Sequence, residues 1–199
     1  MTSLLRGHHA VVFAGLVLLM AATRFHHVGS LLQLSDASLI VFLLAGACLP
    51  ALALPLLLLE AVAIDLLVIA LSGLRGGPLD LGLCVTTAYA LLPLAYVALW
   101  LAGRLIARRG MATAGHLLQA ALIWWLAVSA AFVISDGSYY LFSGFFDAPQ
   151  WSEYLMRVQQ FYRPYVSREL PWAVLAGMAA LGWQWYRRAG KVILTTESR

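Results

Sequence analysis

The chain has 199 residues, of which 62% are hydrophobic and only 11% are charged. A soluble domain of this size cannot bury so many apolar side chains in one core, so this class of protein is excluded. The formal net charge of +4 does not indicate nucleic-acid binding, because Lys and Arg lie mainly at the ends of apolar blocks, where they orient a membrane protein.

Six membrane-spanning helices are predicted in chain order, within a single transmembrane domain over residues 1–199. Their ranges are 8–23, 37–49, 51–72, 83–104, 112–135 and 170–188, each close to the length that crosses a hydrocarbon layer of about 30 Å. Pro50 and Pro55 interrupt one long apolar run, which is therefore divided into the second and third helices with a tight turn between them. Without this division, five spans remain.

The distribution of basic residues predicts that both termini lie in the cytoplasm. With six spans, the cytoplasmic residues are Arg6, Arg104, Arg108, Arg109, Arg187, Arg188, Lys191 and Arg199. The external residues are Arg24, Arg75, Arg157, Arg163 and Arg168. Because Lys and Arg concentrate in cytoplasmic segments, the larger first group supports this orientation.

An amphipathic helix is predicted in the long external segment between residues 136 and 169. Its aromatic and aliphatic residues recur at helical spacing; they are Trp151, Tyr154, Leu155, Val158, Phe161, Tyr162 and Tyr165. Asp147 and Pro149 are typical of a helix start, and Glu153 with Arg157 forms a predicted i,i+4 ion pair. We expect this helix to cover the outer surface.

The two cysteines are predicted to lie near opposite membrane faces, which excludes a disulfide between them. Cys48 is interpreted as a small buried hydrophobic residue. Cys84 begins an outer helix, where the helix dipole favours the thiolate form that binds soft metals, although burial as a plain hydrophobe is the simpler interpretation.

Other polar residues are predicted in the same outer layer. Asp65 lies past the midplane and needs a partner or a polar cavity; a structural hydrogen bond and a ligand site are equally compatible with it. His26 and His27 lack metal-ligand spacing and alone indicate a solvated pair. Tyr89 and Arg157 fall in this layer too. The dense aromatic residues nearby fit either an interfacial belt or a large flat ligand.

The strings Arg24-Phe-His-His-Val-Gly-Ser30, Leu34-Ser-Asp-Ala-Ser38 and Cys84-Val-Thr-Thr-Ala-Tyr-Ala90, together with Asp65, resemble the BtuM family. Members of this family are cobalamin-specific substrate-binding S-components of energy-coupling-factor (ECF) transporters in Gram-negative bacteria. The resemblance implies an ECF S-component-like fold of six transmembrane helices in the bacterial inner membrane, with a cobalamin pocket open to the periplasm.

The resemblance also implies roles for single residues. Cys84 matches the axial ligand of the cobalt, which the family links to removal of the cyano group from cyanocobalamin. Asp65, Tyr89, Arg157 and either His26 or His27 match the remaining ligand-binding residues. The segment between Asp65 and Cys84 is longer and richer in glycine than the family pattern, which leaves the local register open.

Docking to an ECF module, formed by a transmembrane coupling subunit and ATPases, is implied by Ala10 and Ala14 in the first helix. Small residues four apart let another helix approach closely, but in so Ala-rich a chain the spacing alone is no more than chance. The resemblance matches the pair to the family's Ala-x-x-x-Ala docking motif. The chain lacks a Gly-x-x-x-x-Gly-Lys phosphate loop, so we expect its partners to bind the nucleotide.

The leading hypothesis is a cobalamin-uptake component with possible cysteine-mediated reductive decyanation of cyanocobalamin. An intramembrane metal- or thiol-dependent enzyme that uses His26, His27, Asp65 and Cys84 is the alternative, although His-Glu-x-x-His and Cys-x-x-Cys motifs are absent from the sequence. A small accessory subunit without a ligand is a third hypothesis. The preferred corrinoid, the need for an ATP-driven module, the oligomeric state and the histidine that faces the pocket are left open.

Overall fold

The computed structural model describes residues 7–24, 35–74 and 86–196, and these ranges contain helices and no strands. The helices are α1 (Gly7–Arg24), α2 (Ser38–Cys48), α3 (Ala53–Leu74), α4 (Thr87–Arg109), α5 (Ala114–Phe142) and α6 (Trp151–Thr196). Within the described ranges this confirms the all-α prediction. The first three helices agree with the predicted ranges to within two residues, α4 begins four and ends five residues later than predicted, and the last two helices are longer than predicted.

The short helix α2 forms the centre of the bundle. Its residues from Ser38 to Leu43, together with Ala45 and Gly46, are buried. It packs against α1, α3, α4 and α6. Because α2 is apolar on every side, it can be enclosed by other helices, and the four helices that it contacts bury most of its residues. The largest fully buried side chains come from five different helices: Met20, Phe42, Leu57, Leu99 and Phe132.

Two glycines allow α2 and α4 to cross at very short distance. A Cβ atom added to Gly46 would overlap the carbonyl group of Trp100, and one added to Gly103 would overlap the carbonyl group of Leu43. Each glycine therefore lies directly against the backbone of the other helix. Such close approach by small residues is typical of helix pairs in membranes.

Among the residues that the structure describes, four helices are long and apolar enough to cross a membrane: Gly7–Arg24, Ala53–Leu71, Thr87–Arg109 and Ala114–Phe142. Their outward faces carry exposed aliphatic side chains, such as Val11, Leu18, Leu59, Leu126 and Val133. In water this surface would be unfavourable, whereas in a bilayer it contacts lipid. The chain is therefore a multi-pass helical membrane protein.

Of the six predicted spans, four meet the criteria of length and composition among the described residues. The turn at Pro50 is confirmed, because α2 ends at Cys48 and α3 begins at Ala53. However, α2 has only 11 residues, which corresponds to about 16 Å of helix, roughly half of the hydrocarbon thickness. The predicted span at 170–188 does not meet the criteria of length and composition either.

The amphipathic helix and the last predicted span are one continuous helix rather than two. α6 contains 46 residues from Trp151 to Thr196 and passes through Pro164 and Pro171 without a break. A helix start near Pro149 is confirmed, but a separate helix over the outer surface is not. The first half of α6 packs along α5, where the hydroxyl groups of Tyr162 and Ser129 are 2.8 Å apart.

Candidate functional site

A two-pronged ion pair joins the end of α1 to the middle of α3. Nε of Arg24 donates to Oδ1 of Asp65 at 2.6 Å, and Nη2 donates to Oδ2 at 2.7 Å. Only 10% of the Arg24 side chain and 18% of the Asp65 side chain are exposed. This geometry fixes the plane of the carboxylate and balances two charges in an apolar bundle.

Tyr89 also binds this carboxylate, from the first turn of α4. Its hydroxyl donates to Oδ2 of Asp65 at 2.6 Å. The turn is positioned by Thr86, whose side chain caps α4 by accepting a hydrogen bond from the Tyr89 amide at 3.3 Å. The structure therefore brings together two of the predicted site residues, and it places both next to Arg24.

Two further side chains hold Arg24 from the other side. Nη1 of Arg24 donates to the Ser38 hydroxyl at 2.8 Å and to the Tyr96 hydroxyl at 2.9 Å. Ser38 in turn donates to Oδ1 of Asp36 at 2.6 Å, and the Tyr96 ring is stacked on Phe42, with 4.3 Å between ring centroids. We call Arg24, Ser38, Asp65, Tyr89 and Tyr96 the outer polar network, after the outer layer in which Asp65 and Tyr89 are expected from the sequence.

The position of the outer polar network along the bundle follows from α3. Asp65 comes twelve residues after Ala53, the first residue of that helix, which corresponds to about 18 Å of helix. The network also contains the last residue of α1 and the first residue of α2. It therefore joins four helices within the half of the bundle where α1 ends.

Arg157 is not part of the outer polar network, and it forms a second cluster between α5 and α6. Its Nη2 donates to Oδ1 of Asp136 at 2.8 Å. The guanidinium lies 5.1 to 5.9 Å from the centroids of four aromatic rings; these belong to Tyr139, Tyr140, Phe146 and Phe161. Ion pairing and cation–π contacts together hold this cation in place.

The predicted ion pair between Glu153 and Arg157 is wrong. Glu153 instead accepts a hydrogen bond from the Tyr140 hydroxyl at 2.7 Å, while Arg157 binds Asp136. Helical spacing allowed the pair, but α5 offers both side chains partners that are closer to the interior.

Burial, with a further contribution from Asp136, raises the pKa of the Tyr154 phenol, so this neighbouring hydroxyl stays protonated.

The two clusters flank the beginning of α4. The Ser138 hydroxyl donates to the backbone carbonyl of Ala88 at 3.4 Å. Ala88 adjoins Tyr89 of the outer polar network, and Ser138 is two residues from Asp136. A ligand with contacts to both Tyr89 and Arg157 would therefore have to extend over the start of α4.

Three predicted site residues, His26, His27 and Cys84, lie outside the described residues. Ala10 and Ala14 are exposed on α1, where another helix can reach them. Cys48 is exposed, so its interpretation as a buried hydrophobe is wrong. The reason is its place at the last residue of α2, where that helix leaves the centre of the bundle.

The sequence interpretation missed Arg24 and Tyr96 as members of this site. Arg24 was assigned to the outer loop as a topological marker, and only its position directly after an apolar block could have indicated a partner for Asp65. Tyr96 carries a clearer signal. It follows Tyr89 by seven residues, two helical turns, so both hydroxyl groups lie on one face of α4.

Two other features of the structure bear on ligand binding. An apolar groove of about 530 Å³ lies between α4, α5 and the start of α6, but its lining includes no member of the outer polar network. Within the described ranges, no group of three or more His, Cys, Asp or Glu side chains is arranged to hold a metal ion. The outer polar network is taken as the candidate site because it joins Asp65 and Tyr89, two of the predicted site residues.

Comparison with known proteins adds no family to this picture. No family model matches the chain, and no curated protein matches it significantly.

Proposed function

We propose that this protein is a substrate-binding S-component that captures cobalamin on the periplasmic side of the bacterial inner membrane. The observation that carries the proposal is the hydrogen bond from Tyr89 to Asp65, beside Arg24. It joins two of the side chains that the BtuM resemblance assigns to the corrinoid site. It also places them next to the first residue of the string on which the resemblance rests.

The sequence neighbours of the outer polar network support the same proposal. His26 and His27 follow Arg24 by two and three residues, and Cys84 precedes Tyr89 by five. The proposed axial ligand and the proposed histidine therefore adjoin, in sequence, the residues that form the network. A thiolate is a strong soft donor for cobalt.

Ligand exchange at cobalt is part of the proposal for cyanocobalamin. A bond forms between the Cys84 sulfur and cobalt, the bond between cobalt and cyanide breaks, and cyanide leaves with its electron pair. This substitution consumes no oxidant or reductant, so it differs from the reductive decyanation that was expected from the sequence. Asp65 and Tyr89 would contact the amide side chains at the edge of the corrin ring. The Asp65 carboxylate would accept hydrogen bonds from these amides, and the Tyr89 hydroxyl would form a further hydrogen bond with them.

The membrane arrangement in this proposal has six crossings with both termini in the cytoplasm. Two of these six crossings do not meet the criteria of length and composition for a membrane span: α2, which other helices surround, and the apolar second half of α6. Basic residues are concentrated at the end where α4 finishes, with Arg108 and Arg109 in its last turn, and this supports the orientation. The exposed Ala10 and Ala14 are then the proposed docking site for an ECF coupling subunit.

The test is binding of cyanocobalamin to the purified full chain, followed by removal of free ligand by gel filtration. The proposal predicts stoichiometric corrinoid in the protein fraction. Metal analysis of the same sample distinguishes this proposal from the alternative of an intramembrane enzyme, because tightly bound zinc or iron without corrinoid would indicate the enzyme. Protein that retains no corrinoid would refute the proposal.

A further inference from the structure

A basic cavity lies at the opposite end of the bundle, where α1 begins and α2 and α4 end. Its volume is about 390 Å³, and its lining consists of His9, residues 46–50, Arg104, Ala107 and Arg108. Two guanidinium groups and an imidazole thus line the cavity, and no described lining residue carries a carboxylate. Positive charge is concentrated here at the edge of an apolar bundle.

Arg104 is held in position by its own helix. Its guanidinium carbon lies 4.4 Å from the ring centroid of Trp100, and its buried Nε has no hydrogen-bond partner among the described residues. The ion pairs within those residues involve neither Arg104 nor Arg108. A guanidinium that is fixed by stacking and lines the cavity without an ion pair is well suited to bind phosphate.

The surface beside the cavity favours a lipid over a free phosphate ion. Leu101 and Leu105 on α4 and Val11 on α1 are exposed, by 55%, 39% and 73% respectively. These apolar side chains lie within a turn or so of the basic residues along the same helices. A phospholipid can therefore place its acyl chains on this surface while its headgroup enters the cavity.

We propose that this cavity binds the phosphate headgroup of an anionic phospholipid, with Arg104 and Arg108 as its ligands and His9 at its rim. The site does not depend on the ligand of the outer polar network, because the two share no residue. The bound lipid would anchor the start of α1 and the ends of α2 and α4 to the charged leaflet of the membrane.

Cys48 provides a direct readout, because it is exposed and lines the cavity. In a Cys84→Ala background it is the single thiol, since the chain has two cysteines. The full chain is placed in nanodiscs of phosphatidylcholine, with or without phosphatidylglycerol, and the rate of Cys48 alkylation by N-ethylmaleimide is measured. We expect phosphatidylglycerol to slow the alkylation.

We call the slowing of Cys48 alkylation by phosphatidylglycerol the protection of Cys48. Arg104→Gln is expected to weaken this protection roughly fivefold, the effect of losing one basic contact with an anionic lipid surface. Arg109→Gln is the matched control, because it removes the same charge at the same helix end, from a residue that is exposed and does not line the cavity. It should leave the protection unchanged. Arg108→Gln serves as a second test if Arg104→Gln elutes as aggregated protein in gel filtration.

Three results would overturn the proposal. Equal alkylation rates in the two lipid compositions would show that no headgroup enters the cavity. Equal effects of Arg104→Gln and Arg109→Gln would show a general attraction of charges at the surface. Protection by inorganic phosphate in phosphatidylcholine nanodiscs, as strong as that by phosphatidylglycerol, would assign the site to a free anion.

Discussion

Arg24 and Asp65 are 41 residues apart in the sequence, and they form a two-pronged ion pair with donor–acceptor distances of 2.6 and 2.7 Å. The pair fixes the orientation of the carboxylate, while Tyr89 binds one of its oxygens. Asp65 is therefore a structural partner of Arg24 and, in our proposal, a ligand-binding residue as well. The sequence alone had presented these roles as alternatives.

The first prediction concerns the charge of Asp65. Asp65→Asn leaves the mostly buried guanidinium of Arg24 without its main counter-charge, and we expect the free energy of unfolding to fall by roughly 3–5 kcal/mol. The measurement is thermal unfolding of the purified variant in detergent micelles, compared with the wild-type protein.

The double variant Arg24→Gln/Asp65→Asn is the control for this effect. Because it leaves no buried charge unpaired, we expect it to be more stable than Asp65→Asn alone. If the two substitutions destabilised the protein additively, the ion pair would not be the cause of the loss.

The second prediction compares two hydroxyl groups on one face of α4. Tyr89 donates to Asp65, whereas Tyr96 binds Arg24 from within the core and is 7% exposed. We expect Tyr89→Phe to weaken cobalamin affinity roughly tenfold, the value of a hydrogen bond near a charged group. Tyr96→Phe should mainly lower stability, by about 1 kcal/mol. Isothermal titration gives the affinities, and equal losses of affinity in both variants would argue against a ligand contact at Tyr89.

The third prediction tests the anchoring of Arg157. Asp136→Asn removes the charge that binds this guanidinium, and we expect a loss of roughly 1.5–3 kcal/mol in the free energy of unfolding. Arg163→Gln changes an exposed residue of the same helix and should remain within about 0.5 kcal/mol of wild type. Thermal unfolding of both variants measures the difference. A wild-type-like Asp136→Asn would mean that the aromatic rings alone hold Arg157.

The fourth prediction concerns the crossing of α2 and α4. An alanine at Gly46 or Gly103 would force the two backbones apart, and we expect each substitution to cost on the order of 1–3 kcal/mol or more. Gly177→Ala is the matched control, since no atom lies within 4 Å of an added Cβ there. In that helix we expect alanine to be neutral or slightly stabilising. Unfolding temperatures of the three variants rank these effects, and a tolerated Gly103→Ala would contradict the close crossing.

The sequence was sufficient to predict most of the helices because blocks of apolar residues are local signals. The separation of α2 from α3 followed from Pro50, and the start of α6 followed from Pro149. Pro164 and Pro171 were less informative, because prolines are tolerated inside membrane helices whose neighbours satisfy the freed backbone groups. The continuity of α6 therefore could not be predicted.

The candidate site was predictable only in part, for a similar reason. Asp65 and Tyr89 were expected in one layer, since a carboxylate in an apolar helix needs a polar partner. The partner itself, Arg24, could not be identified, because a pairing between residues 41 apart depends on how the helices pack. The same applies to Arg157, for which helical spacing suggested Glu153, whereas the packing of α6 on α5 provides Asp136.

The visible absorption spectrum of the purified protein with cobalamin, with and without Cys84, tests the central claim most directly. The proposal predicts a coloured complex whose cobalt-centred bands differ from those of free cobalamin. The bands of Cys84→Ala should in turn differ from those of the wild-type complex, because the thiolate ligand is absent. A colourless protein after incubation, or identical spectra for the two proteins, would contradict cobalamin binding through Cys84.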